Sequence, residues 1–194
     1  MKKSKLILFS IAFVAFSFVS QSAFAQDNFK VTIENSKLTW KGYKPTGDHT
    51  GTITLAYGNI VLKNNKLTGG TFVADMSTIK DADGSAKLEG HLKSEDFFEI
   101  AVFPTSKFEI TKSEIKAGKI QVTGNMTIKG ITKQITFPAT LSVNKDNVIL
   151  TSETFQINRA DFNVKYKSKT FFNDLKDKFV NDEFDFQVTI VAKK

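Results

Sequence analysis

Apolar and polar residues alternate along most of this chain. In Glu183–Lys193, Phe184, Phe186, Val188 and Ile190 alternate with Asp185, Gln187 and Thr189, the period-2 pattern of a strand with one buried face. Lys37–Lys44 repeats it with Leu38 and Trp40. Residues 49–64 carry Ile53 and Leu55, then Ile60 and Leu62 beyond Gly58, and the change of phase at that glycine predicts a bulge or bend. "KLTGGTFVADMSTI" sets Phe72, Ala74 and Met76 against Val73, Asp75 and Ser77. "FKVTIE", "TSKFEITKSEI", "KIQVTGNMTIKG", "ITKQITFPATLSV" and "NVILTSETFQIN" extend the series. "NNK", "AG" and "NKD" separate consecutive runs and read as hairpin turns, since Asn and Gly tolerate positive φ. About eight strands with hairpin-length links predict an all-β antiparallel meander, a barrel or a sandwich. Closure into a barrel would remove the sheet edges and leave room for side chains or one small ligand.

Two segments break the rhythm. "GSAKLEGHLKSEDFFEI" predicts a short helix near residues 86–95. Leu88 and Leu92 lie four apart on one face, Ser85 or Gly84 caps the start, and Pro104 bars continuation. "RADFNVKYKSKTFFNDLKDKFV" is irregular, with one helical turn predicted over Asp174–Lys178.

The first 25 residues change the picture of where the chain works. Lys2, Lys3 and Lys5 precede an apolar and serine run, Leu6–Val19, which ends in "SAFA". This is the pattern of a cleaved export signal, with cleavage expected after Ala25 and an apolar stretch short for a membrane span. It predicts a periplasmic protein whose single domain covers residues 26–194. No cysteine occurs, which excludes both a lipid-anchored N-terminal cysteine and disulfides. The formal charge of +7 falls further without the leader's three lysines, and the remaining lysines are interspersed with acids. No basic stripe of the kind that binds nucleic acid is present.

Candidate chemistry is sparse. The two histidines, His49 and His91, lie near Asp48 and Asp96 but lack the spacing that fixes metal ligands on one element. No nucleophile elbow or phosphate loop accompanies them, so the residues predict neither a metal, nor a cofactor, nor an enzyme. Arg159 is the chain's one arginine. Its planar fork suits either a carboxylate partner or an anionic head group. Asp161, two residues on and so on the same face of an expected strand, could pair with it, and Glu153 is also near in sequence. Phenylalanine is abundant, at 19 against one Trp and three Tyr. Such faces fill a core or line an apolar cavity, and alternation alone does not separate the two. The "HLKSEDFF" segment is open in the same way, as a lid over a ligand or as a plug in a barrel mouth.

In chain order, "GHLKSEDFF", "FPTSKF", "VTGNMTIKGITKQITF" and "INRADFNV" resemble the YceI-like family of exported, lipocalin-like proteins. His91, Leu92, Lys93, Ser94, Asp96, Phe97, Phe98 and Pro104 match one family block, and Arg159, Asp161 and Phe162 match another. His49 stands where many members have a histidine. Ile53 replaces a common aromatic, and Asn163 a common glycine. The resemblance implies an extended, eight-stranded antiparallel barrel around an apolar tunnel that holds a polyisoprenoid, an isoprenoid quinone, or a fatty amide or acid. On that footing Trp40, Ile53, Leu55, Phe72, Ala74, Phe97, Phe98, Phe108, Ile110, Phe137, Phe155, Phe184 and Phe186 are the expected lining. His49, His91 and Arg159 are candidate head-group contacts. A stress-related barrel with a filled core and a lipid-modifying enzyme are the rival readings, and pairing of two barrels as a homodimer is left open.

Overall fold

The computed structural model describes residues 26–194, so the export signal read in residues 1–25 lies outside them. Ten strand segments form one antiparallel sheet: β1 (Gln26–Val31), β2 (Lys37–Lys44), β3 (Gly47–Lys63), β4 (Lys66–Asp81), β5 (Thr105–Lys116), β6 (Lys119–Ile128), β7 (Ile131–Asn144), β8 (Asn147–Ser152), β9 (Phe155–Asn158) and β10 (Glu183–Lys193). One helix, α1 (Ala86–Lys93), interrupts the strand order between β4 and β5.

Ten segments make eight staves of a closed ring. β1 and β2 both pair with β3 on one side and β10 on the other. They are one stave broken by a 3-10 turn at Ile33–Asn35. β8 and β9 both pair with β10 and form a second stave broken at Glu153 and Thr154. Each remaining strand hydrogen-bonds to its sequence neighbours, and β10 closes the ring. The predicted eight-stranded barrel is therefore present. β3, with 17 residues, spans about 55 Å at the usual rise per residue, which makes the barrel long.

The turns follow their residues. Asn64 and Asn65 have φ of 52° and 58°, and Ala117 and Gly118 have 51° and 77°, the paired positive values of tight hairpins. The β3–β4 ladder shifts register between Leu55 and Tyr57, next to the predicted break at Gly58. Asn163 sits at φ 59° and ψ 27° as the C-cap of a 3-10 turn over Arg159–Phe162. Asparagine is the residue that best replaces glycine in that left-handed position, which accounts for the departure from the family pattern.

The short helix expected near residues 86–95 is present as α1. It ends at Lys93, where Ser94 turns extended (ψ 174°) and its N–H caps the carbonyls of Gly90 and His91. The start is as expected: the Leu88 N–H donates to the Ser85 hydroxyl. Two expectations need correction. Asp174–Lys178 forms no helix. It is a turn closed by the Lys178 N–H on the Leu175 carbonyl, with Lys176 at φ 47°. Arg159 and Asp161 belong to the 3-10 turn and do not share a strand face.

The interior divides lengthwise. At the end bearing the β3–β4, β5–β6 and β7–β8 hairpins, Phe29, Ile60, Leu62, Leu67, Val122, Val148 and Ala192 are buried to 4% exposure or less. This half is a packed core. The opposite end is hollow.

Candidate functional site

The hollow half is a cavity of about 520 Å³, within the size range of pockets for small organic ligands. Trp40 from β2, Ile53 and Leu55 from β3, and Phe72 and Ala74 from β4 line one side. Phe108 from β5, Phe137 from β7, Phe155 from β9, and Phe184 and Phe186 from β10 line the other. Those five rings form a continuous aromatic wall. Centroids lie 5.4 Å apart for Phe108–Phe137, 4.3 Å for Phe137–Phe155 with the rings stacked, and 6.1 Å for Phe155–Phe186.

Two of the lining aromatics lie against glycines. A Cβ on Gly51 would meet the Lys80 carbonyl oxygen at 1.8 Å and the Trp40 ring at 2.5 Å, and one on Gly124 would meet the Phe108 ring at 2.4 Å. Glycine lets each ring lie against the sheet instead of projecting into the lumen, and so widens the cavity.

Ile110 is the exception among the expected lining residues. It points inward, in phase with Phe108, but pairs with Gly70 and Gly124. Between those glycines it fills the packed half and joins the core instead of the cavity wall. The filled-core and hollow-barrel readings of the alternation thus each describe one half of the molecule.

The cavity reaches solvent where three connections meet: the β2–β3 hairpin (Lys44, Pro45, Thr46), the α1 segment, and the 159–182 connection. Leu88, Leu92, Phe97 and Phe98 contribute to the wall here, so the "HLKSEDFF" segment roofs a space and does not fill it. His91 packs edge-on against Tyr166 and Phe97, at 4.3 and 5.2 Å, and its Nε2 lies 3.2 Å from Asp96.

Arg159 is a buried latch. Its Nε donates to the Asn181 carbonyl, Nη1 to that of Val164 and Nη2 to that of Val180, each at 2.9 Å. Its ion-pair partner is Asp182, at 3.3 Å, and neither Asp161 nor Glu153. The guanidinium also lies 5.5 Å from the Phe97 ring centre, tying the connection to the α1 segment. Burial alone would push the Asp182 carboxyl up. Hydrogen bonds from Ser168 and Thr170 and the charge of Arg159 outweigh it and hold the group below its ordinary value of 3.8. Arg159 touches the cavity wall, yet three of its five N–H groups are spent on backbone.

His49 also borders the cavity. Asp48, its sequence neighbour, pairs with Lys41 instead, and His49 Nδ1 faces the buried Asp81 at 3.5 Å. One ligand atom from each of His49, Asp81 and Asp83 falls within 4.8 Å of the others, and the Lys44 ammonium stands 3.4 Å from His49 Nε2. The two histidines share a cavity, but each faces its own carboxylate. Tyr43 lies at the same rim and donates a 2.5 Å hydrogen bond to Asp185, which pushes the phenol up to about 12.

Alternation missed Tyr166, Phe179 and Val180, all on the cavity wall. They sit in the irregular connection, where no periodicity marks an inward face. The one arginine among lysines was the available signal, since a buried fork that binds three carbonyls orders the whole connection.

A closed eight-stave barrel that is packed at one end and holds an aromatic-walled cavity at the other defines a lipocalin-like binding barrel. The chain belongs to the YceI-like family, whose domain matches residues 21–192. It is 29% identical over 120 residues to Protein YceI of Salmonella newport, covering 62% of this chain and 58% of that relative's length. Among solved structures it is similar to BcnA of Burkholderia cenocepacia (TM-score 0.71, 22% identity, 84% of this chain and 99% of that one). It is also similar to a polyisoprenoid binding domain of Saccharophagus degradans implicated in plant cell wall breakdown (TM-score 0.63, 10% identity, 85% and 97%). At these identities the structural likenesses concern the fold.

Proposed function

We propose that this protein is an exported carrier that sequesters one long-chain apolar or amphiphilic molecule, such as a polyisoprenoid, an isoprenoid quinone, or a fatty amide or acid. The observation that carries the proposal is the solvent-connected cavity of about 520 Å³ with its wall of five phenylalanine rings. The polyisoprenoid binding described for the Saccharophagus degradans domain supports the ligand class. Burying about ten methylenes at about 0.8 kcal/mol each outweighs the cost of ordering a flexible chain by several kcal/mol. Binding is non-covalent and the protein's role is to hold the molecule away from water. Function outside the cytoplasm, after cleavage following Ala25, is part of the same proposal.

Trp40 supplies the test. It is the one tryptophan in the sequence and lies on the cavity wall, so a polyene isoprenoid entering the cavity quenches the protein's emission. Native mass spectrometry of protein purified from its own periplasm, followed by solvent extraction, would identify the occupant, and N-terminal sequencing would locate the cleavage. A protein that is always empty and shows no quenching with isoprenoids or fatty amides would end the carrier reading.

A further inference from the structure

The connection between β9 and β10 carries features that neither the fold nor the cavity uses. Phe171 and Phe172 are adjacent, and 39% and 48% exposed. A soluble fold gains nothing from exposing two neighbouring phenyl rings, and such a patch marks a contact surface. Around them, residues 165–179 hold Lys165, Lys167, Lys169, Lys176 and Lys178 against only Asp174 and Asp177.

Seven lysines elsewhere on the barrel are ion-paired: Lys41, Lys80, Lys107, Lys112, Lys119, Lys129 and Lys194. Among the described residues none of the five in this connection has a carboxylate partner. Three lie over aromatic rings instead: Lys165 over Phe171, Lys167 over Tyr166 and Lys169 over Phe179. Their charges stay unneutralised beside an apolar tip. Glu95 and Asp96 border Phe172 on its α1 side, and Asp96 is engaged by His91.

Position supplies the rest. Lys167, Lys178 and Phe179, from the same connection, line the cavity where it meets solvent. Arg159 clamps both ends of the connection, through Val164 and through Val180 and Asn181, so the tip is presented in a fixed pose. We infer that this tip docks on an anionic lipid bilayer: Phe171 and Phe172 insert at the headgroup–acyl boundary, and the lysines pair with lipid phosphates. Exposed aromatics combined with a basic surround bind such membranes through apolar burial and electrostatic attraction together. Docking would bring the cavity mouth to the bilayer and let an apolar chain pass without crossing water. The inference rests on the carrier proposal for its purpose, but not for its physics.

The test is co-sedimentation of the protein comprising residues 26–194 with phosphatidylglycerol vesicles and with phosphatidylcholine vesicles, beside quenching of Trp40 by a soluble polyene. Wild type should pellet with the anionic vesicles only, and less so at high salt as the charges are screened. F171S/F172S should lower vesicle partitioning at least about tenfold, and K165Q/K176Q should lower it while reducing its salt dependence. Neither pair lines the cavity, so polyene quenching should stay at the wild-type level in both variants, which also shows that they fold. Equal pelleting with both lipids, no pelleting with anionic vesicles, or wild-type pelleting by F171S/F172S would overturn the inference. If wild type pellets with anionic vesicles as described but shows no quenching, docking stands and the carrier reading fails.

Discussion

Trp40 and Gly51 are register partners across the β2–β3 ladder, and the indole occupies the space that a side chain on Gly51 would need. The same absent side chain lets the Lys80 carbonyl approach from the other neighbouring strand. Gly51 thus sets three adjacent staves at close spacing beneath the cavity wall.

Gly51→Ala is expected to destabilise the protein by about 3 kcal/mol or more, because backbone has to move to admit the methyl group. Chemical denaturation followed by Trp40 emission measures this. A midpoint unchanged from wild type would mean that the close approach has no energetic weight.

Arg159→Ala leaves three carbonyls without donors and Asp182 without its counter-charge, at an expected cost of about 3–5 kcal/mol. Arg159→Lys should recover little, since one ammonium cannot reach all three carbonyls. Hydrogen exchange should rise selectively in residues 163–182 in both variants. If Arg159→Lys instead kept wild-type stability and protection and lost only ligand affinity, Arg159 would be a head-group contact and not a latch.

Asp182 sets a pH dependence with a definite sign. Its carboxyl titrates below the ordinary value of 3.8 in the folded state, so its ionised form stabilises the fold at any pH above that ordinary range. This contribution disappears as pH falls through 3.8 toward the lower folded-state value. Melting temperature should therefore drop on acidification in that window, and Asp182→Asn should be less stable at neutral pH with a shallower acid slope. Parallel acid slopes for the two proteins would count against the assignment.

Ala74 is a small residue on the hollow wall. Ala74→Phe should fill part of the cavity and lower polyene affinity about tenfold or more, while stability changes by less than about 2 kcal/mol because the new ring has space to enter. Titration of Trp40 quenching reads the affinity, and thermal melting reads the stability. Undiminished quenching would place the ligand elsewhere.

Much of this structure was legible in the residues because its signals are local. Alternation marked the strands, Asn64 and Asn65 marked a turn, and Ser85 with Leu88 and Leu92 marked α1. What escaped depends on partners distant in sequence. Whether an inward residue meets a cavity or a core depends on what faces it: Phe108 lies over Gly124 and borders the hollow, whereas Ile110, two residues on, fills the core. The 163–182 connection has no periodicity because Arg159, reaching carbonyls up to 22 residues away, replaces a ladder of its own. Its role as wall and rim could not be read from spacing. The breaks between β1 and β2 and between β8 and β9 were equally hidden, since only shared neighbours, β3 and β10 for the first pair and β10 for the second, show that each pair forms one stave.

The neighbour common to both pairs has a consequence for how the molecule is made. β10 is the last strand in chain order, and it alone joins β2 to β8 and β9. Until its eleven residues emerge, the other strands can form only an open curved sheet with two unpaired borders. Those borders are the sites at which such sheets stick to one another. The hollow therefore does not exist as an enclosed space during synthesis. A chain cut before Glu183 would expose a sticky, half-finished sheet with no enclosed hollow.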